Sequence, residues 1–371
     1  MESCEVLIIG GGPAGATCAR QLTRAGFDVL LLDSRLFPRD KPCAGWITPA
    51  VLETLEIDVD DYRRGRVLQE IRGFVTSVMH GAGVVTRYDK TVSYGIRRCE
   101  FDHYLLGRCA ARLSLGEPAT LLHYRDGRWI VNRRYRARIV VGAGGNFCPV
   151  ARLLGAKAGT EEAIIAQSTE FEIDEKEENT CPILKDIPEL YFSRDMKGYG
   201  WIFRKGNFLN AGFGRLDRTD FHRHRDDFRT ALEKRGVAAS EAAQRFHGHA
   251  YLTYRRKGGR QRVGDGLLLI GDAAGIAAPH SGEGILPAVE SALLAARAII
   301  AAKGNYRRSN LEPYAAWLDR RCGAAFPEFS LPIPAALMGP IGARFLASHL
   351  FVRHVVLDRW FLHAGRKTLS S

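Results

Sequence analysis

Four apolar residues, Val6-Leu7-Ile8-Ile9, run without a break into Gly10-Gly11-Gly12-Pro13-Ala14-Gly15. A short continuous apolar run predicts a parallel strand covered on both faces. The glycines predict an abrupt turn into a helix, whose pattern continues through Ala14–Ala25 and stops at Gly26, a C-terminal cap. A second apolar run, Val29–Leu32, ends in Asp33, 18 residues beyond Gly15. Each part has a mechanical reason. Gly10 permits the tight turn, Gly12 lets a pyrophosphate approach the backbone, and Gly15 lets helix and strand pack closely. The helix N-terminus offers free N–H groups and the positive end of its dipole. Asp33 stands where a carboxylate can accept both hydroxyls of an adenosine ribose. The order of strand, turn, helix, strand and acid predicts a Rossmann-type dinucleotide site, but it does not separate FAD from NAD.

The remaining length, 371 residues in all, leaves room for a second domain. The formal charge of +12 invites anionic partners. The arginines are scattered and no nucleic-acid module is apparent, so an anionic lipid surface or a phosphorylated substrate is expected rather than nucleic acid. Eight cysteines without a CxxC pair suit neither a zinc site nor a disulfide scaffold, and they read as reduced thiols; no metal is expected. The first strand is expected to start after four residues, so no secretory signal is expected. No uncharged apolar stretch reaches the roughly 18 residues of a membrane span. A cytoplasmic location is expected, with peripheral contact at an anionic membrane as a further expectation.

A second grip lies late in the chain. Leu267-Leu268-Leu269-Ile270 is another buried-strand run, followed by Gly271-Asp272-Ala273-Ala274-Gly275, then Ser281-Gly282-Glu283-Gly284-Ile285 and an apolar helix to about Ala302. This GDAAG segment resembles the second FAD fingerprint of flavoproteins with the hydroxylase-like fold. The resemblance implies that Asp272 binds the ribityl chain and that the helix from Ile285 points its N-terminus at the flavin ring. A helix end so placed favours negative charge on the reduced ring by ~0.3–2 kcal/mol.

Further motifs narrow the family. Lys41-Pro42-Cys43-Ala44-Gly45-Trp46 resembles the K-P-C-G-G motif of geranylgeranyl reductases. Arg98-Cys99-Glu100-Phe101-Asp102 resembles the R-x-x-F-D stretch whose Arg contacts FAD. Val141-Gly142-Ala143-Gly144-Gly145, with Val150-Ala151-Arg152, resembles the G-A-D-G…R segment, and Tyr199–Lys205 resembles Y-x-W-x-F-P-K. Together the chain resembles the geranylgeranyl reductase-like branch of FAD-dependent oxidoreductases. There are departures: Gly144 stands where the family has Asp, which weakens direct NAD(P)H binding and leaves a protein donor open. Arg204 replaces Pro, and Ala44 and Trp46 alter the loop beside the flavin. Trp46 is expected to narrow the pocket. The FAD-contacting set implied by both grips is Gly10, Gly12, Pro13, Ala14, Gly15, Asp33, Ser34, Arg35, Cys43, Ala44, Arg98, Ala143, Gly271, Asp272, Gly282, Gly284 and Ile285.

Between the grips, Glu70–Val78 with Val84–Tyr88 reads as one strand pair. Ile164–Ile173, Leu190–Phe192, Tyr199–Phe203 and Phe208–Phe213 read as an antiparallel group roofing the flavin. The expected fold is α/β: a discontinuous Rossmann-type FAD domain (1–68, 95–158 and 258–305), an antiparallel substrate domain (69–94 and 159–257) and a C-terminal helical cap (306–371). Trp46, Tyr191, Tyr199, Trp201 and Phe203 are candidates for an apolar pocket wall, with plain core packing the alternative for each. The family motif singles out Trp201. Cys43 stands open between proton donor, steric guide and inert thiol. His280 is a second candidate proton source or a scaffold group. Reduced flavin can deliver hydride to an alkene or engage oxygen for hydroxylation or halogenation, and fold alone does not choose. The Cys43 loop and the Tyr199–Lys205 motif tilt the reading toward reduction of isoprenoid double bonds, with a hydrophobic or lipid substrate. Pro327–Leu362 mixes apolar residues with Arg344, Arg353 and Arg359, as a cap over a lipid-sized cavity or an interfacial anchor would.

Overall fold

The computed structural model describes residues 1–157, 161–237, 245–325 and 335–369. The chain begins in β1 (Glu2–Ile9), turns through the glycines into α1 (Pro13–Arg24) and returns as β2 (Val29–Asp33). Val6, Leu7 and Ile8 have no exposed surface, as an uninterrupted apolar strand requires. Three further segments precede the second sheet: β3 (Trp46–Ile47) and the short helices α2 (Pro49–Thr54) and α3 (Val59–Arg63).

The expected strand Glu70–Val78 is two strands. β4 (Leu68–Ile71) and β7 (Ser93–Ile96) join β3 in a three-stranded sheet that the sequence reading lacks, whereas β5 (Gly73–Val78) pairs antiparallel with β6 (Val84–Arg87) in a different sheet. The switch falls at Arg72-Gly73. A Cβ on Gly73 would lie 2.8 Å from the Thr86 carbonyl, so glycine lets the backbones close where the chain changes sheets.

After α4 (Arg98–Gly107) come β8 (Arg112–Leu115), the hairpin β9 (Leu122–Arg125) and β10 (Arg128–Val131), β11 (Tyr135–Gly142) and α5 (Pro149–Leu153). β12 (Ile164–Glu172), α6 (Glu175–Thr180), β13 (Glu189–Phe192), β14 (Gly198–Lys205), β15 (Phe208–Arg215), α7 (Phe221–Lys234) and β16 (His247–Tyr251) follow. The chain then returns through β17 (Val263–Gly264), β18 (Leu267–Leu269) and α8 (Ile285–Ala301). It ends in α9 (Arg308–Ala325), α10 (Ala335–Leu346), α11 (His349–Phe351) and a π-helical segment, Val352–Phe361. The Pro327–Ile333 part of the expected cap and Pro334 lie outside the described residues.

The first sheet runs β17-β18-β11-β1-β2-β8, with β18, β11, β1, β2 and β8 parallel. The two grips, remote in sequence, therefore emerge side by side at the carboxyl ends of β1 and β18, flanking β11. This is where open α/β sheets bind ligands. Helices α1 and α8 pack on one another. The second sheet runs β16-β12-β15-β14-β13-β5-β6 and is antiparallel except at β13–β5. Period-2 alternation gives it two distinct faces. Ile202, Leu209, Ala211 and Phe213 pack beneath Phe221, Phe228 and Leu232 of α7. Residues of opposite parity (Ser168, Glu170, Tyr199, Trp201, Lys205 and Asn210) point to the other face, toward the first sheet.

Candidate active site

A cavity of about 860 Å³ lies between the carboxyl ends of the first sheet and this face of the second. At one end, Gly10 adopts φ +114° and a Cβ there would collide with the Ala143 carbonyl, while a Cβ on Gly15 would collide with the Gly10 carbonyl. Gly12 is different: its nearest neighbour in the Cβ direction is Arg39 Nη2 at 3.6 Å, so its backbone lies open to the cavity. Gly12 is also the N-cap of α1, and no side chain caps that end. The first N–H groups of the helix are thus left for an anion. Asp33 Oδ2 accepts from Gly11 N (2.7 Å) and Oδ1 from Arg35 N (2.9 Å). The carboxylate is a staple between glycine turn and β2 as well as a cavity-lining group, a second task that the expectation of a pure ribose ligand omits. Ser34, Arg35 and Ala143 line the same end.

At the other end, Asp272 follows β18 on a tight turn at Gly271 (φ +60°). Its Oδ2 lies 3.4 Å from both Lys41 Nζ and His249 Nε2. Burial pushes the Asp272 carboxyl up, but Lys41, the His249 hydrogen bond and Arg98 outweigh it and hold it well below the usual range. Burial in turn lowers His249, against the pull of Asp272. Gly282, Gly284 and Ile285 line the cavity, and α8 begins at Gly284 with no side-chain cap. A Cβ on Gly284 would lie 3.1 Å from Asp272 Oδ1. An open glycine cradle, two uncapped helix N-termini and two stapled carboxylates fit an FAD, whose diphosphate the N-terminus of α1 would hold.

Arg98 lines the cavity but is largely committed: its guanidinium forms a bidentate pair with Asp102 (2.8 and 2.7 Å). Asp102 additionally receives Arg39 at 3.3 Å. The Cys43–Ala44 loop is held from two sides. Gly45 N donates to Cys43 Sγ (3.3 Å), and Asn210 Nδ2 donates to the Cys43 carbonyl (3.0 Å). Asn210 Oδ1 accepts from Trp201 Nε1 (2.9 Å), so one amide joins the loop to the indole. Beneath it, Lys205 Nζ, with no exposed surface, donates to Glu170 Oε2 (2.6 Å), and Arg97 Nε reaches Oε1 of the same carboxylate (3.0 Å). Burial lowers the Lys205 ammonium, and Glu170 opposes that shift.

Of the expected wall residues, Trp46, Tyr199 and Trp201 line the cavity. Tyr191 does not: it sits opposite Gly200 in the β13–β14 register, on the α7 face, where it packs on Phe228 and donates to Glu189. Phe203 has the right parity but lies too far along β14, closed in by Gly95 and Lys205 and only 1% exposed. His280 is exposed and stacks on Trp360 (5.0 Å), outside the residues lining the cavity. The residues that sequence reasoning missed, Glu170, Asn210 and His249, come from strands far from any glycine motif, whereas Phe361 belongs to the segment expected to cap the cavity and does line it. A polar Asn in the middle of an apolar strand was the one available signal. Among the described residues no His, Cys, Asp or Glu cluster could hold a metal, and all eight cysteines are free.

The fold and site define an FAD-binding oxidoreductase with two flavin grips. Residues 3–67 match the FAD binding domain family model. The chain is 30% identical over 347 residues to menaquinone reductase of Mycobacterium tuberculosis, covering 80% of this chain and 76% of that one. It is 27% identical over 356 residues to digeranylgeranylglycerophospholipid reductase 2 of Methanosphaera stadtmanae, covering 89% and 86%. A geranylgeranyl bacteriochlorophyll reductase-like protein from Thermoplasma acidophilum superposes with a TM-score of 0.72 at 19% identity, covering 97% of each chain. The chain belongs to the geranylgeranyl reductase-like family of FAD-dependent oxidoreductases.

Proposed function

We propose that the protein reduces carbon–carbon double bonds of an isoprenoid lipid. One observation carries the reading. Trp46, Tyr199, Trp201 and Phe361 line an apolar part of the cavity beside the Cys43 loop, a chamber tied to the second grip by the Tyr199–Ser281 and His363–Glu283 contacts. An apolar chamber beside the second grip suits a hydrocarbon with no polar handle at the reacting carbons. The named reductase activity of the Methanosphaera relative supports the same substrate class. When bound and reduced, FAD supplies a hydride to one alkene carbon, and the other carbon takes a proton.

The residues of this chain then have distinct tasks. The rings exclude water and orient the chain. Cys43 Sγ is the proposed proton-bearing atom, supported by its place in the lining and by a loop pinned to Asn210. Tyr199 is the poorer source: its hydroxyl donates to the Ser281 carbonyl, and burial pushes its pKa up. The test is to reduce the holoprotein anaerobically and add geranylgeranyl lipids. Flavin reoxidation with hydrogen gained by the lipid is expected. A reduced flavin that turns over only with oxygen and an aromatic compound would refute the reading.

No helix among the described residues is long and apolar enough to cross a membrane. We further propose that substrate is met at an anionic bilayer. Leu337, Met338, Phe345 and Leu350 of α10 and α11 expose their side chains, as do Arg344 and Arg359 of the same C-terminal segment. This mix of apolar and basic groups, on a chain of net charge +12, suits acidic headgroups. Cosedimentation with phosphatidylglycerol vesicles but not with phosphatidylcholine vesicles is expected, and loss of that preference on Phe345→Glu.

A further inference from the structure

The far wall of the chamber is an aromatic stack assembled from three separate parts of the chain. Trp46 lies between Phe74 and Phe361, with ring centroids 5.1 Å and 5.3 Å away and planes inclined by 25° and 22°. Tyr199 meets the edge of Phe361 at 5.4 Å. Trp46, Tyr199 and Phe361 face the cavity, whereas Phe74 behind them has no exposed surface. Trp46 and Phe361 are therefore the layer between the chamber and the core.

Both rings are held in place. Trp46 pairs with Gly95 in the β3–β7 ladder. It follows Gly45, whose φ of +63° and lack of space for a Cβ beside the Ile96 carbonyl fix the entry of the strand. Phe361 is flanked by backbone and side-chain ties of the tail. Leu362 N donates to the Leu357 carbonyl (2.8 Å), and His363 Nε2 lies 2.6 Å from Glu283 Oε2 in the second grip, with both groups nearly buried. Arg366 pairs with the buried Glu290 of α8. A wall pinned on both sides rejects what does not fit, because displacing stacked rings from a packed core costs more than one hydrocarbon unit returns.

We propose that Trp46 and Phe361 are specificity-determining residues that set how much of an apolar chain the chamber accepts beyond the reacting bond. The proposal rests on the isoprenoid reading above and deepens it. Shortening Trp46 opens space toward Phe74, shortening Phe361 opens space toward Trp46, and either admits a longer chain, whereas enlarging Phe361 removes space.

The test measures binding of geranyl, farnesyl and geranylgeranyl diphosphate to the oxidised holoprotein through the flavin absorbance change, alongside turnover. Flavin content and melting serve as folding controls. Trp46→Gly and Phe361→Ala are expected to raise the preference for geranylgeranyl over geranyl by about tenfold, the scale of discrimination that a few hydrocarbon atoms produce in a close-fitting pocket. Phe361→Trp, which creates no cavity, is expected to move the preference toward the shorter chain. Trp46→Phe, which keeps a ring, is expected to stay close to wild type. An unchanged length profile across the folded variants, or equal weakening of all three ligands, overturns the proposal. If the profile shifts but no hydrogen reaches the lipid, the reductase reading fails and the wall stands. If the lipids are reduced with no shift, the wall alone fails.

Discussion

Replacing Asn210 tests whether the Cys43 loop and Trp201 are positioned as one unit. Asn210 is 2% exposed and its amide makes three side-chain contacts: to the Cys43 carbonyl, from Trp201 Nε1 and to Glu170 Oε2 (3.2 Å). Asn210→Leu preserves volume but orphans the indole N–H and the carbonyl. Glu170 keeps Lys205 and Arg97, so no carboxylate is left alone. At ~1–3 kcal/mol for each orphaned group, with the carbonyl of the half-buried Cys43 near the lower figure, the expected cost is ~2–4 kcal/mol. Unfolding entropy of about 2.1 cal/mol/K per residue makes this a fall in melting temperature of roughly 3–5 °C. Asn210→Asp keeps the acceptor for Trp201, loses the donor to Cys43 and sets a second carboxyl against Glu170. The introduced group is raised above its unfolded pKa, so the deficit is expected to grow as pH rises. The assays are melting followed by flavin fluorescence and the rate of Cys43 alkylation read by peptide mass. A Leu variant that melts within about 1 °C of wild type with unchanged alkylation would refute the coupling.

Three other outcomes are expected. Gly15→Ala places a methyl on the Gly10 carbonyl, so the purified protein should carry little flavin, as its absorbance spectrum would report. His249 is lowered chiefly by burial. Below about pH 6.5 the unfolded ring therefore takes up a proton that the folded one does not, and stability falls as pH drops through that window. His249→Gln should flatten this limb of a melting-versus-pH curve, and an unchanged limb would assign it to another group. Tyr191→Phe and His280→Ala lie away from the cavity, so each should leave kcat/KM with a prenyl lipid close to wild type. A large loss in either would show that the cavity is not where the reaction occurs.

Local backbone demands were readable in one dimension. At Gly10–Gly15 and Gly271–Gly284 the chain turns so sharply that only glycine serves, and adjacent apolar runs identify the strands that feed those turns. Such signals depend on near neighbours, and they sufficed to locate both grips and Asp33. The pocket wall depended on register. Tyr191 and Tyr199 look alike in sequence, yet pairing Tyr191 with Gly200 turns it toward α7 while Tyr199 faces the cavity. Phe203 shares the parity of Trp201 and is lost to the core only because Gly95 and Lys205 close over it. Asn210, Glu170 and Lys205 meet through the β12–β15–β14 ladder, and Phe361 reaches Trp46 from more than 300 residues away. Nothing near these residues in the chain dictates such contacts. They arise from the burial of whole sheet faces and the latching of the tail on Glu283 and Glu290, which only the assembled structure determines. Near-neighbour chemistry is enough to place the two glycine turns, whereas the packing of whole sheets sets which side chains line the cavity between them.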